Sequence, residues 1–321
     1  MNIARLSVLG AALAVAACSG NSLVSATSEV RVLPGPAVAG PIVVRRNALK
    51  PNAPSGWPAR RHRAILFVAD ERAGVLMYDP SVRNGSPIGS ITSEIDVPAG
   101  LAVDRNGALY VDSEGTGASG TVNVYPPGQS SPSLVISNGI DGPYGIGVDS
   151  NGNVFVSDVP NNTVNAYHAG QSSPYETISF NAYGQPVGIG IDANDNVWVA
   201  CDTSNKVFEI PAGTTQVKDA GLTGLDGPIG VAFGKNDVMY VSNFAIGAVN
   251  VYPYGAKSPS STITAGIERY GPSLGGFTAA NIYFQSNQYL DVEGYDGQAW
   301  YSMVSGGGAP LGIASSPLVR K

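Results

Sequence analysis

Cysteine is nearly absent: Cys18 and Cys201 are the only two in 321 residues. That excludes a disulfide framework and the paired Cys-x-x-Cys spacings of zinc sites. Histidine is as scarce, with His62 and His168 alone, which removes the imidazole clusters of many transition-metal sites. Charged residues make up 13% of the chain. Past the N-terminus no apolar run approaches the roughly 18 residues of a membrane helix. Neither a Walker loop, a dinucleotide fingerprint nor a Gly-x-Ser-x-Gly elbow occurs. Glycine and proline are plentiful instead, at 41 and 23 residues, and they fall in a pattern.

The pattern is Pro-x-Gly-Ile/Leu-x-Val-Asp-x-Asn-Gly followed by a short β-branched and aromatic run. It begins at Pro98, Pro143, Pro186 and Pro228, which are 45, 43 and 42 residues apart. A fixed period in this range marks propeller blades or solenoid repeats. Within a unit the apolar period is two. Gly145 to Asp149, a Ser150-Asn151-Gly152-Asn153 turn and Val154 to Asp158 read as a β-hairpin. Runs at Thr163–Tyr167 and Tyr175–Ser179 supply a third and a fourth strand. Proline-rich turns such as Tyr167 to Pro174 belong on the outer rim, where proline also blunts edge pairing.

Units of this length stacked radially predict an all-β, six-bladed β-propeller. The first unit starts at its second strand, Ile65–Asp70, and lacks an innermost one. Pro310-Leu311-Gly312-Ile313-Ala314 is an innermost strand without successors, so the C-terminal strand is expected to complete the first blade and close the ring. The prolines 98, 143, 186 and 228, a degenerate Pro272 unit and this closing strand count to six. The endings Val156-Ser157-Asp158, then Asn161, Asn162, Thr163 and Val164, together with Asp202 to Val207, resemble the NHL-repeat family. The resemblance spans roughly residues 64 to 317 and implies a propeller, while implying no activity.

Ahead of the ring, Met1 to Arg5 and the apolar Leu6 to Ala17 form a segment too short to span a membrane, which reads as a signal peptide over residues 1–18. Its end, Val15-Ala16-Ala17-Cys18, looks like a bacterial lipobox. That resemblance implies lipidation at Cys18, with an ordinary secretory cleavage as the alternative. It also implies an exported, envelope-located protein attached to a membrane by its lipid, at the outer membrane or facing the periplasm. Residues 19–63 read as a flexible tether. Through residue 63 there are eight Lys/Arg against one acid, and thereafter 10 bases against 23 acids. An acidic ring is unsuited to nucleic acid, whose binding depends on neutralising phosphates. A ring without free edges is expected to be monomeric.

Propellers of this kind include the gluconolactonase family and the virginiamycin B lyase family. In the first, the resemblance places metal ligands just before the glycine that opens each innermost strand. Those positions here are Ala99, Tyr144, Val187, Ile229, the Leu274 region and Leu311, and none offers a carboxylate or amide. The second relies on a catalytic histidine, whereas His168 is placed at an outer turn.

Candidates remain at the ends of the second strands, where Asp70, Glu71, Asp112, Glu114, Asp158, Asp202 and Asn243 are expected to share one face. They could ring the channel mouth, or each could cap its own loop as an Asx-turn. Around them Tyr144, Val187, Ile229 and Phe244, with Tyr183 and Tyr270, offer an apolar and aromatic mouth suited to a protein, carbohydrate or small-molecule ligand. No cofactor is expected; the alternative is a cation such as Ca2+ at the acids. The expected function is a non-catalytic binding module. The alternatives are a metal-dependent hydrolase, lactonase or lyase acting at the channel mouth, and a structural spacer. Cys201 is expected to be a buried apolar side chain.

Overall fold

The computed structural model describes residue 57 and residues 64–70, 73–82, 85–115 and 119–264 in full, and beyond them the strands alone, with side chains only at 312–315. The expected signal peptide with Cys18, most of the tether, Glu71 and Tyr270 lie outside the described residues.

Alternating apolar residues between glycine-rich turns form strands throughout. The first sheet holds β1 (Ile65–Asp70), β2 (Gly74–Tyr78) and β3 (Gly89–Ile91). The second holds β4 (Pro98–Val103), β5 (Leu109–Ser113), β6 (Thr121–Tyr125) and β7 (Leu134–Ile136). The third holds β8 (Pro143–Val148), β9 (Val154–Asp158), β10 (Thr163–Tyr167) and β11 (Glu176–Ser179). The fourth holds β12 (Pro186–Ile191), β13 (Val197–Cys201), β14 (Lys206–Ile210) and β15 (Lys218–Asp219). The fifth holds β16 (Pro228–Phe233), β17 (Met239–Asn243), β18 (Ala248–Tyr252) and β19 (Ser261–Ile263). Backbone pairing joins β20 (Leu274–Phe277), β21 (Ile282–Ser286), β22 (Asp291–Tyr295) and β23 (Trp300–Val304) into a further sheet. Finally β24 (Pro310–Ser316) returns to the first sheet and pairs antiparallel with β1, Phe67 opposite Ala314. All these sheets are four-stranded meanders. Among the described residues the helical content is one 3-10 turn, Lys235–Asp237.

The first strands touch in a closed cycle, β24 to β4, β8, β12, β16, β20 and back to β24. This is a β-propeller, and its C-terminal strand closes the ring as expected. Every residue of β1 is buried. Ile65, Phe67 and Ala69 pack with Leu101, Val103 and Val111 of the second sheet, while Leu66 and Val68 pack with Leu76, Tyr78 and Ile313. Both faces are therefore covered, one by the next sheet. Of the segment expected to be a tether, Trp57 is described. Trp57 packs edge-on against Phe67, with ring centroids 5.3 Å apart, because its indole finds apolar surface on the first sheet.

The Pro-x-Gly repeat has a physical cause at the hub. A Cβ on Gly145 would lie 2.3 Å from the Val187 carbonyl oxygen, on Gly188 2.3 Å from that of Ile229, on Gly312 2.0 Å from that of Ala99, and on Gly100 2.8 Å from that of Tyr144. Each innermost strand thus leans on the carbonyl that precedes the glycine of the next. Only glycine permits that approach.

Two further ties recur that the sequence reading did not single out. The Tyr167 and Tyr252 hydroxyls donate to the Asn138 and Thr223 carbonyls, both at 2.8 Å, and Asn165 and Asn250 donate to the Gly139 and Gly224 carbonyls, both at 2.7 Å. Tyr125 and Asn123 repeat the pair on Ser93 and Glu94. An Asn-x-Tyr on the third strand thereby pins the loop entering its own sheet. On the opposite end of the strands, Asp149 Oδ1 accepts the N–H of Asn151 and of Asn153 at 2.8 Å each, and Asp104 and Asp192 do the same in their turns. Those Asp-x-Asn motifs are hairpin turns, as expected.

Gly188→Ala would press a methyl group onto backbone that cannot withdraw, and is expected to cost about 1–3 kcal/mol. Thermal melts check this, and an unchanged midpoint would show that the hub can widen.

Candidate functional site

Strand register separates the acids that were expected to stand together. Position by position, Pro310, Pro98, Pro143, Pro186 and Pro228 lie opposite Asp70, Ser113, Asp158, Cys201 and Asn243. Asp70, Asp158 and Asn243 are therefore equivalent. Asp112 falls one residue earlier and Asp202 one later. With a side-chain period of two, a one-residue offset reverses the face, so Asp112 shares its position with Ser157, Ala200 and Ser242.

The equivalent three are structural. Asp158, fully buried, accepts the N–H groups of Asp141 and Gly142 at 3.1 Å each and the Asn161 amide at 2.9 Å. Asn243 Oδ1 accepts the Asp226 N–H at 2.9 Å. Asp70 Oδ1 accepts the Ala73 N–H at 2.9 Å. Asp70 caps its own turn through a backbone N–H. The other two bind the loop that leads into their sheet's first strand, a contact 16 or 17 residues back that local turn chemistry does not foretell.

Asp112 is different. It is completely buried, its Oδ1 accepts the N–H groups of Ala99 and Gly100, and its Oδ2 has no hydrogen-bond partner. At the same register position Ser157 accepts the Gly145 N–H at 2.8 Å and donates to the Val187 carbonyl at 2.6 Å, bridging two sheets. The carbonyl equivalent to Val187 is that of Tyr144. A Cβ on Gly100 would meet both Asp112 Oδ2, at 2.4 Å, and the Tyr144 oxygen. Burial, opposed by the Gly100 hydrogen bond and reinforced by the Glu114 charge, holds the Asp112 pKa well above the usual carboxylate range. A protonated Asp112 has the donor needed to repeat the serine's bridge.

Asp112, Glu114 and Asp202 are the acids whose charges reach Tyr144. Burial first, and then the fields of Glu114, Asp112 and Asp202, raise the Tyr144 hydroxyl pKa. Asp202 is pushed up to about 6, chiefly by burial and against a hydrogen bond from the Thr203 backbone, and its buried Oδ1 is unpartnered. The loop beside Glu114 is strained. Val97, β-branched, sits at φ 51, with its carbonyl accepting the Glu114 N–H at 3.1 Å, a conformation costly for such a residue.

The remaining candidates divide. Tyr144, Ile229 and Phe244 are half-buried, Val187 and Ala99 are buried. Tyr183 does not line the mouth. It packs against Phe208 and Phe180 between the third and fourth sheets, at centroid distances of 5.2 and 5.8 Å. His168 is exposed beyond β10, at the far end of the strands, and stacks on Tyr175 at 4.0 Å. Cys201 is fully buried in the core, and burial together with Asp202 pushes its thiol pKa up. It is no nucleophile. The positions where the resembled lactonases keep metal ligands do not fit a metal: the residues are apolar or tyrosine. Among the described residues no three His, Cys, Asp or Glu side chains converge on one point.

No protein-family model matches the sequence, and no curated protein does. Solved structures resemble the fold. A nidogen/laminin complex aligns with 78% of this chain and 98% of its own, at TM-score 0.61 and 16% identity. A provisionally assigned 6-phosphogluconolactonase from Bacteroides fragilis aligns over 81% and 99%, at TM-score 0.58 and 10% identity. Virginiamycin B lyase from Staphylococcus aureus aligns over 77% and 86%, at TM-score 0.52 and 10% identity. What they share with this chain is the β-propeller. A protein-binding ring and enzymes stand side by side among them.

Asp112 and Asp202 both have raised pKa values in the fold. Such a group stabilises fully below its unfolded value and loses that contribution as pH rises through the folded one. Stability is expected to decline from about pH 4 upward, Asp202 contributing up to about pH 6 and Asp112 adding to the decline in the same direction. Asp112→Asn, which supplies a permanent donor, is expected to make that decline shallower in urea melts. An identical pH profile in the variant would show that Asp112 is ionised in the fold.

Proposed function

We propose that this chain is an exported, lipid-anchored, six-bladed propeller of NHL type that binds a ligand or protein at the mouth around Tyr144 and catalyses no reaction. The count of six takes β20–β23 as a blade, supported by its four-strand pairing and its place between β16 and β24. The observation that carries the binding reading is the hub. The side chains preceding the inner glycines are Ala99, Tyr144, Val187 and Ile229, and their carbonyls are covered by the neighbouring glycines, so these four described positions offer the axis neither a carboxylate nor an amide nor a free carbonyl.

The mouth itself is a tyrosine with half-buried Phe244 and Ile229 nearby in the repeat, edged by Glu114 and Asp202. Apolar contact with a few acceptors suits a partner offering hydrogen-bond donors. Calorimetric titration of the purified protein with Ca2+ and Zn2+ is expected to give no saturable heat, and a lactone and ester screen no chelator-sensitive turnover. Micromolar metal binding abolished by Asp202→Asn, or turnover lost with it, would favour the hydrolase reading instead.

The anchor rests on Val15-Ala16-Ala17-Cys18. Expressed in a diderm bacterium, the chain is expected to take up labelled palmitate and to partition with membranes, and Cys18→Ala to abolish both. Release of an unlabelled soluble form from the unaltered chain would favour the secretory alternative.

A further inference from the structure

The fourth and fifth sheets leave a groove of about 200 Å³ between them, at the end of the strands remote from Tyr144. Three observations set it apart from the other sheet junctions. The first is register. The residue three places before each Pro-paired position faces, on the third strand, Met77, Val124, Ala166 and Val251 in the first, second, third and fifth sheets. In the fourth sheet it faces Glu209, opposite Trp198. A carboxylate has replaced an apolar residue at one blade alone among these five.

The second is satisfaction. Glu209 is half-buried and lines the groove, and no hydrogen bond holds its carboxylate among the described residues, so its oxygens are open to donors brought by a ligand. The third is the aromatic frame. Trp198 is held by its indole N–H, which donates to Asp192 Oδ2 at 3.0 Å. It lies 5.8 Å from Phe233 at 57° between planes. Tyr254, 71% exposed, stands over the groove, with Asn194, Asp237 and Lys257 at its rim.

We infer that this groove binds a neutral hexopyranose unit, its ring face on Trp198 and a pair of its hydroxyls on Glu209. The C–H face of a pyranose carries slight positive potential that suits the negative face of an indole. Vicinal hydroxyls present two parallel donors to a carboxylate, which accepts only. The groove is smaller than the roughly 300–1,000 Å³ of sites for drug-sized molecules, a size that suits a single sugar ring. This site is separate from the mouth and involves no bond making or breaking.

The full chain is titrated with glucose, galactose, mannose and N-acetylglucosamine, read by tryptophan fluorescence and by saturation-transfer NMR. At least one sugar is expected to saturate in the millimolar range. Glu209→Val, which installs the residue found in two of the other sheets, is expected to weaken that sugar by more than about tenfold while leaving the melting midpoint unchanged or higher. Saturation by none of the four sugars would overturn the inference. So would equal affinity in the variant, or a midpoint lowered by it, since the last would make Glu209 a structural residue.

Discussion

The ring depends on a contact that has almost no side-chain content: the α-carbon of one glycine against the peptide carbonyl of the next first strand. Repeated at Gly312, Gly100, Gly145 and Gly188, it sets how close the innermost strands can stand, and therefore how narrow the hub is. It also accounts for the side chains between Pro and Gly. Their carbonyls are spent in packing, so the hub is lined by whatever fits and has no need of polar groups. A substituted glycine would widen one junction and shear its neighbours, because the strands close on themselves.

The fold was legible because these glycines, the prolines before them and the Asp-x-Asn turns are all local requirements that recur at one period. The closing strand could be read from an absence at one end matched by a surplus at the other. The site was less legible. Asp70, Asp112, Asp158 and Asp202 look alike along the chain, and only the pairing of Ser113 with Pro98 and of Cys201 with Pro186 shows that two of them are offset. A one-residue offset turned a uniform circle of acids into three loop clamps and a separate pair beside Tyr144. Tyr183 was misplaced for a similar reason: its loop position suggested the mouth, while Phe180 and Phe208 offered it a core. The Asn-x-Tyr clamp at Asn165 and Tyr167 was visible in the sequence three times over, and could have been found by aligning the third strands as well as the first.

The fourth sheet abandons that clamp. Where its neighbours carry Asn and Tyr, it has Phe208 and Ile210, with Glu209 between them, and its outer strand shrinks to Lys218–Asp219. An aromatic cluster of Phe180, Tyr183 and Phe208 holds the sheet in place of hydrogen bonds. Freed from a common solution, this blade could change its outward surface without losing the junction, as repeat folds commonly do when one unit is specialised.

Pairing β24 with β1 joins residues from opposite ends of the propeller chain. Until β24 docks, Leu66 and Val68 lack the cover of Ile313 and the first strand presents an open edge. The molecule cannot complete its cycle progressively from the first unit to be made. It must wait for its tail, and long-range closure of this kind is slow. A ring that stays unlatched until β24 docks is exposed in the meantime to misassociation along that open strand.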